Sequence, residues 1–292
     1  MSCKDANLEE DAMKLCYSTW GMPMLPMDVI TRRLAALGYD GVEIAVLPNW
    51  TTEIDELDAT ERRRIARLLR AAGLALPAIS SYLSTIEPDA ETFAHNLAYI
   101  QAAIDLAVDW AQDGKPPVVI TGIGGKRGDL PEQQDRLIER LRGLGEYADT
   151  RGVIVALEAH IDAAVETPDQ IVSLLQQVAS PAIRANFDIS HFNVLGIPVE
   201  ESVAKMVPYA AHTHVKDERG LHPDYAYLIP GEGKFDYVRY LKAMQTHGYT
   251  GFISVEISMQ VQRRADYDPL AAAAESYHVL AAAFDKAGVR RA

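Results

Sequence analysis

Along almost the whole of this 292-residue chain, short aliphatic runs alternate with longer amphipathic stretches, and no other feature restricts the fold so sharply. The runs cover 13–18, 41–46, 74–80, 117–122, 152–160, 182–190, 210–216 and 251–258. Each is bounded by Gly, Pro or polar residues, as a strand buried in a parallel sheet would be. Helix-like stretches lie between them, over 26–38, 58–73, 89–114, 130–152, 167–178, 199–207, 235–248 and 268–288. Gly38 and Gly73 are stop signals, and Thr167-Pro168 reads as an N-cap followed by proline at the first helical position. This strict alternation predicts an α/β fold, a single (β/α)8 TIM barrel over 13–292 with 1–12 as a flexible leader. A doubly wound open sheet is the alternative, but it usually carries a Gly-rich turn after its first strand, and "YSTWGMP" is not one.

Composition narrows the function classes. The formal net charge is −13, so the field around the protein repels phosphate backbones and argues against nucleic acid as partner. No apolar run approaches the length of a membrane span. Cys3 and Cys16 are the only cysteines, too few for a disulfide framework. The start, "MSCKDANLEEDA", lacks the basic and apolar regions of a signal peptide, which makes a cytoplasmic location the expectation.

In a barrel of this kind the chemistry collects where strands end. The fifth run ends in Glu158 and His160, and the sixth in Asp188 and His191. The seventh offers His212, His214, Lys216, Asp217 and Arg219, and the eighth Glu256. A carboxylate at the end of a buried strand is costly unless paired or metal-bound. Barrel closure would bring Glu158, Asp188, His214 and Glu256 to one arc of the rim, a donor set suited to Mn²⁺ or Mg²⁺ more than to structural Zn²⁺. His212 and His214 share a face of their strand, so spacing alone leaves open which is the ligand. Glu43, on the second run, reads as a cap or salt-bridge partner. His95, His247 and His278 lie in helical stretches and read as surface or core residues. The Gly-rich "TGIGGKRGDL" (121–130) reads as a loop rather than an anion cradle.

The pieces "GYDGVEI", "ALEAH", "FDISH", "HTHVKD", "PGEGKFDY" and "GFISVEIS" together resemble the xylose isomerase-like superfamily of sugar isomerases and epimerases. That superfamily includes the D-tagatose 3-epimerase group, inosose dehydratases and endonuclease IV. The resemblance implies one divalent metal, Mn²⁺ first and Mg²⁺, Co²⁺ or Zn²⁺ otherwise, held by Glu158, Asp188, His214 and Glu256. It places the ligand of the seventh strand at His214. It implies that His191 contacts the substrate. Arg219 resembles the epimerases' substrate arginine one residue off its usual spacing, and Lys216 matches the inosose-dehydratase pattern.

The chemistry so implied is proton abstraction next to a carbonyl through an enediolate, with Glu158 and Glu256 as the acid/base pair. The expected partner is a small carbohydrate, free or phosphorylated, and a homo-oligomer is left open. A dehydratase would use the same first step and then expel a leaving group, with Lys216 or His160 as proton donor. An endonuclease IV-like nuclease would need further histidines at the ends of the third and fourth runs, where there are none. A sugar-binding protein without catalysis would have no need of two carboxylates on a metal.

Overall fold

The computed structural model describes residues 12–292, so the expected leader falls outside it except for Ala12, which is buried. The chain runs β1 (Lys14–Ser18), α1 (Met27–Leu37), β2 (Gly41–Ala45), α2 (Ala59–Ala72), β3 (Ala78–Ser80), α3 (Ala90–Asp109), β4 (Val118–Gly122), α4 (Leu130–Asp149), β5 (Val155–Glu158) and α5 (Pro168–Val178). It continues through β6 (Ile183–Asp188), α6 (Ile189–Asn193), α7 (Val199–Met206), β7 (Ala210–Val215), β8 (Asp217–Leu221), β9 (Asp224–Leu228), α8 (Tyr237–Thr246), β10 (Phe252–Val255), α9 (Met259–Gln262) and α10 (Pro269–Ala287). The strands close in the order β1-β10-β7-β6-β5-β4-β3-β2, all neighbours parallel, which is a TIM barrel. The open-sheet alternative is thereby excluded.

The helix boundaries follow the caps. Thr167 accepts from the Gln170 backbone N–H at 3.3 Å while the Gln170 side chain accepts from the Thr167 N–H at 3.1 Å, a capping box that starts α5. Gly38 and Gly73 take left-handed conformations, φ 98° and 67°, and end α1 and α2. Outside the barrel, Leu34, Ile65, Leu69, Ile104, Leu141 and Leu280 bury helix faces against the sheet. Among the described residues no helix is long and apolar enough to cross a membrane.

One element departs from the expectation. Directly after β7 the chain turns into the antiparallel pair β8–β9, with Arg219 opposite Ala226. Asp217 anchors this hairpin. Its carboxylate accepts from the backbone N–H groups of Glu218 (2.9 Å), Gly231 (2.8 Å), Gly233 (3.0 Å) and Phe235 (3.0 Å), which explains the "PGEGKF" segment. A Cβ at Gly233 would collide with the Asp217 carboxylate. The Gly-rich loop at 121–130 is also tied down. Gly124 packs against Ser84, and the Lys126 and Arg127 amides donate to Asp129 and to the Asp162 carbonyl.

Candidate active site

Two layers of polar side chains fill the C-terminal half of the barrel. In the deeper layer, Glu43 is fully buried and accepts from Ser18 Oγ at 2.6 Å and from His214 Nε2 at 2.6 Å. His212 Nε2 lies 3.0 Å from the same Glu43 oxygen and 2.8 Å from Ser254 Oγ. Burial alone would raise the Glu43 pKa, but the two imidazoles outweigh it and hold the carboxyl well below its usual range. Burial favours neutral His212 and sets its pKa low, although Glu43 pulls the other way.

The upper layer surrounds the other ring nitrogen of His214. Glu158 Oε1 lies 3.1 Å from His214 Nδ1, Asn186 Nδ2 3.1 Å, Tyr82 Oη 3.2 Å and Glu256 Oε1 3.7 Å. Burial would lower the His214 pKa, yet Glu43 and Glu256 hold it above the ordinary value. Burial pushes the Glu158 carboxyl upward, opposed by His214 and reinforced by Glu256. Lys216 places its ammonium on Asp188 Oδ2 and 2.5 Å from Glu256 Oε2. Burial works against that charge, but Asp188 and Glu256 outweigh it and raise the Lys216 pKa.

Asp188 performs two tasks. Oδ1 accepts from Ser190 N–H at 2.9 Å and Ser190 Oγ at 2.6 Å, starting α6, while Oδ2 faces Lys216 and His191 Nε2, the latter at 3.3 Å. His191 Nδ1 lies 2.7 Å from Tyr227 Oη, and its ring sits 3.9 Å from that of His160. Burial, with His160 beside it, lowers the His191 pKa and keeps the ring neutral.

Above these groups opens a cavity of about 210 Å³ lined by Glu158, His160, His191, Lys216 and Glu256, and by Trp20, Tyr82, Tyr227, Ser258 and Met259. The structure thus brings Glu158, Glu256, His160, His191 and Lys216 to one pocket, with Asp188 and His214 beneath. It does not bring Arg219 there. β8 is buried only at its start, where Asp217 and Glu218 face inward and Glu218 meets Asn193 at 2.7 Å, whereas Arg219 is exposed, outside the cavity lining.

Sequence reasoning passed over Trp20, Tyr82, Asn186 and Tyr227. Tyr82 follows β3 with φ 44°, an unusual conformation for a bulky residue, and donates to Glu256 Oε1 at 2.6 Å. Trp20 stacks on Trp50 at 5.2 Å and meets Tyr82 edge-on at 5.0 Å. The alternation of Tyr225 and Tyr227 after His222-Pro223 was the available cue for Tyr227.

One donor atom each from Glu158, Asp188 and His214 lies within 4.8 Å of the others, all buried, and the same holds for Glu43, His212 and His214. This cluster of buried carboxylates and imidazoles is consistent with a divalent metal site, and its oxygen-rich donor set fits a hard or borderline ion.

The model of the Xylose isomerase-like TIM barrel family matches residues 31–283, and the chain belongs to that family. It is 27% identical over 270 residues to a fructoselysine 3-epimerase of Shigella flexneri, covering 84% of this chain and 90% of that one. It is 26% identical over 212 residues to an inosose dehydratase of Bacillus licheniformis, covering 65% and 69%. A xylose isomerase-like TIM barrel protein from Mycobacterium smegmatis, solved in complex with magnesium, superposes with a TM-score of 0.69 at 25% identity, over 94% of this chain and 97% of that one.

Proposed function

We propose that this protein is a divalent-metal-dependent sugar epimerase or isomerase that moves a proton next to a substrate carbonyl through an enediolate. The observation that carries the reading is the approach of two carboxylates, Glu158 and Glu256, to one nitrogen of His214, both also lining the cavity. Glu158, Asp188, His214 and Glu256 would hold the metal. When bound, a divalent ion supplies Lewis acidity that polarises a carbonyl and acidifies the adjacent C–H. Lys216 lies on Asp188 and Glu256, so its ammonium competes with a metal for those two carboxylates.

The protein's own groups divide the remaining work. Glu158, whose carboxyl burial pushes upward, is suited to accept and return a proton. Glu256, with one oxygen fixed by Tyr82 and the other by Lys216, is the second proton carrier. His191, neutral and braced at Nδ1 by Tyr227, lines the cavity, and its Nε2 would turn to a sugar hydroxyl by leaving its 3.3 Å contact with Asp188. Trp20 and Met259 at the mouth present apolar surface and help exclude water.

Lys216 favours a second reading. Its ammonium lines the cavity, as does His160, and either could protonate a leaving group in a dehydration. The resemblance to fructoselysine 3-epimerase and to inosose dehydratase supports the two readings alike. Incubation with free ketoses, sugar phosphates and keto-inositols plus Mn²⁺ in D₂O, read by NMR, separates them. Deuterium with inverted or relocated stereochemistry supports the epimerase or isomerase, and loss of a hydroxyl supports the dehydratase. The absence of exchange on every substrate with metal-loaded protein would refute both.

A further inference from the structure

We infer that Glu43 is the positioning residue that decides which nitrogen of His214 faces the metal, an inference that rests on the proposed ligand set. His214 has two ring nitrogens, and a half-turn of the ring would put Cδ2 and Cε1 where Nδ1 and Nε2 now meet their partners. Only one orientation gives Nε2–H an acceptor below and leaves Nδ1 among Glu158, Glu256 and Asn186 above. An imidazole that ligates a metal is neutral and carries one proton, so with Nε2–H donated to Glu43 it is the Nδ1 lone pair that would meet the ion in the upper layer.

The rest of the layer holds Glu43 in place. Ser18 Oγ donates to its other oxygen from β1 at 2.6 Å, and His212, backed by Ser254 on β10, meets it from β7 at 3.0 Å. The members are buried to within 2% of full burial, so water cannot substitute for a lost partner. Sequence spacing reduces Glu43 to a salt-bridge partner because the histidines it meets lie 169 and 171 residues away. In the structure that pairing connects β2 to the candidate metal centre. Removing the charge beneath a ligating imidazole lowers its basicity and loosens its orientation, and such outer contacts are typically worth about 10–100-fold in metal affinity.

Two measurements test the inference. In the Mg²⁺-loaded wild-type protein labelled with ¹⁵N-histidine, NMR should show His214 ligated through Nδ1 with a protected Nε2–H. Ligation through Nε2 would overturn the inference and place the ion among Glu43, His212 and His214. The second is a Mn²⁺ titration, followed by electron paramagnetic resonance, of wild type, Glu43→Gln and Glu158→Gln, with a thermal melt of each metal-free protein. Glu43→Gln should bind about 10–100-fold more weakly while remaining folded. Wild-type affinity in Glu43→Gln, with binding lost in Glu158→Gln, would overturn the role of Glu43 and leave the metal site standing. Failure of the wild type to bind Mn²⁺ at all would instead remove the proposed function. Should Glu43→Gln not fold, the NMR result on the wild-type protein decides.

Discussion

The two polar layers of the barrel are built from the same residue types and solve opposite problems. Below, one carboxylate, Glu43, is met by Ser18 on one oxygen and by His212 and His214 on the other. Above, Glu158, Asp188 and Glu256 share Lys216, His214 and a few neutral donors. The lower layer is closed, every member buried and paired within it. The upper layer is rich in anions, borders the cavity and has use for a further cation. Substitutions should therefore act chiefly on stability below and on function above, with Glu43 the exception because it reaches the upper layer through His214.

The largest expected effect is above. Glu158→Gln and Glu256→Gln should each lower turnover by about 10²–10⁴-fold, the range for loss of an acid/base group, with melting temperatures close to wild type. Rates measured on the substrate found by D₂O exchange check this, and near-normal turnover in Glu256→Gln would break the assignment of the pair.

Next come the two histidines of β7. His214→Ala should sharply reduce Mn²⁺ affinity. His212→Ala should destabilise the protein by about 2–4 kcal/mol, through a cavity and the loss of the imidazole that pairs with Glu43 and the Ser254 hydroxyl, while retaining much of its metal binding. Denaturant melts beside a metal titration of both variants compare the layers directly, and loss of metal only in the His212 variant would reverse them.

A third prediction concerns pH and the inward-facing Glu218. Burial raises its pKa to about 8, with Asn193 opposing. The folded state therefore holds a proton that the unfolded chain releases near its ordinary value of 4.5. Stability from this group is fully present below that value and is lost as pH rises through about 8. Glu218→Gln should flatten this decline, so that its advantage over wild type grows from pH 5 to pH 8 in urea melts. An equal gap at both values would count against a protonated Glu218.

The smallest effect is expected at Arg219. Arg219→Ala should change kcat/KM by less than about twofold, within the usual reach of an exposed substitution away from a site. A large loss would show that the hairpin folds over the substrate.

The barrel was legible because eight runs such as "GVEIAV" and "GFISV" carry the signal of burial on both faces, and their helical partners carry caps. Four of the polar groups at the cavity or directly beneath it, Glu158, Asp188, Lys216 and Glu256, were legible because charge at the end of an apolar strand demands an explanation. What escaped depends on distance through space. Tyr82 reaches Glu256 across the barrel from a left-handed backbone position, which no local pattern announces. The β8–β9 hairpin has a solvent face, so "DERGL" lacks the apolar density by which the other strands were recognised. Counting forward from β7 does not show where the hairpin leaves the barrel, so the sequence alone gives no sign that Arg219 lies outside the cavity lining.

Asp188 starts a helix with one oxygen and faces the active site with the other. Natural variation at this position is therefore subject to two selections at once. A lineage that abandoned catalysis could discard Glu158 or Glu256 at little structural cost, yet would still be held to Asp188 or a residue able to cap α6. Retention of this carboxylate in a relative is poor testimony of activity, and the fate of the two glutamates is the better witness.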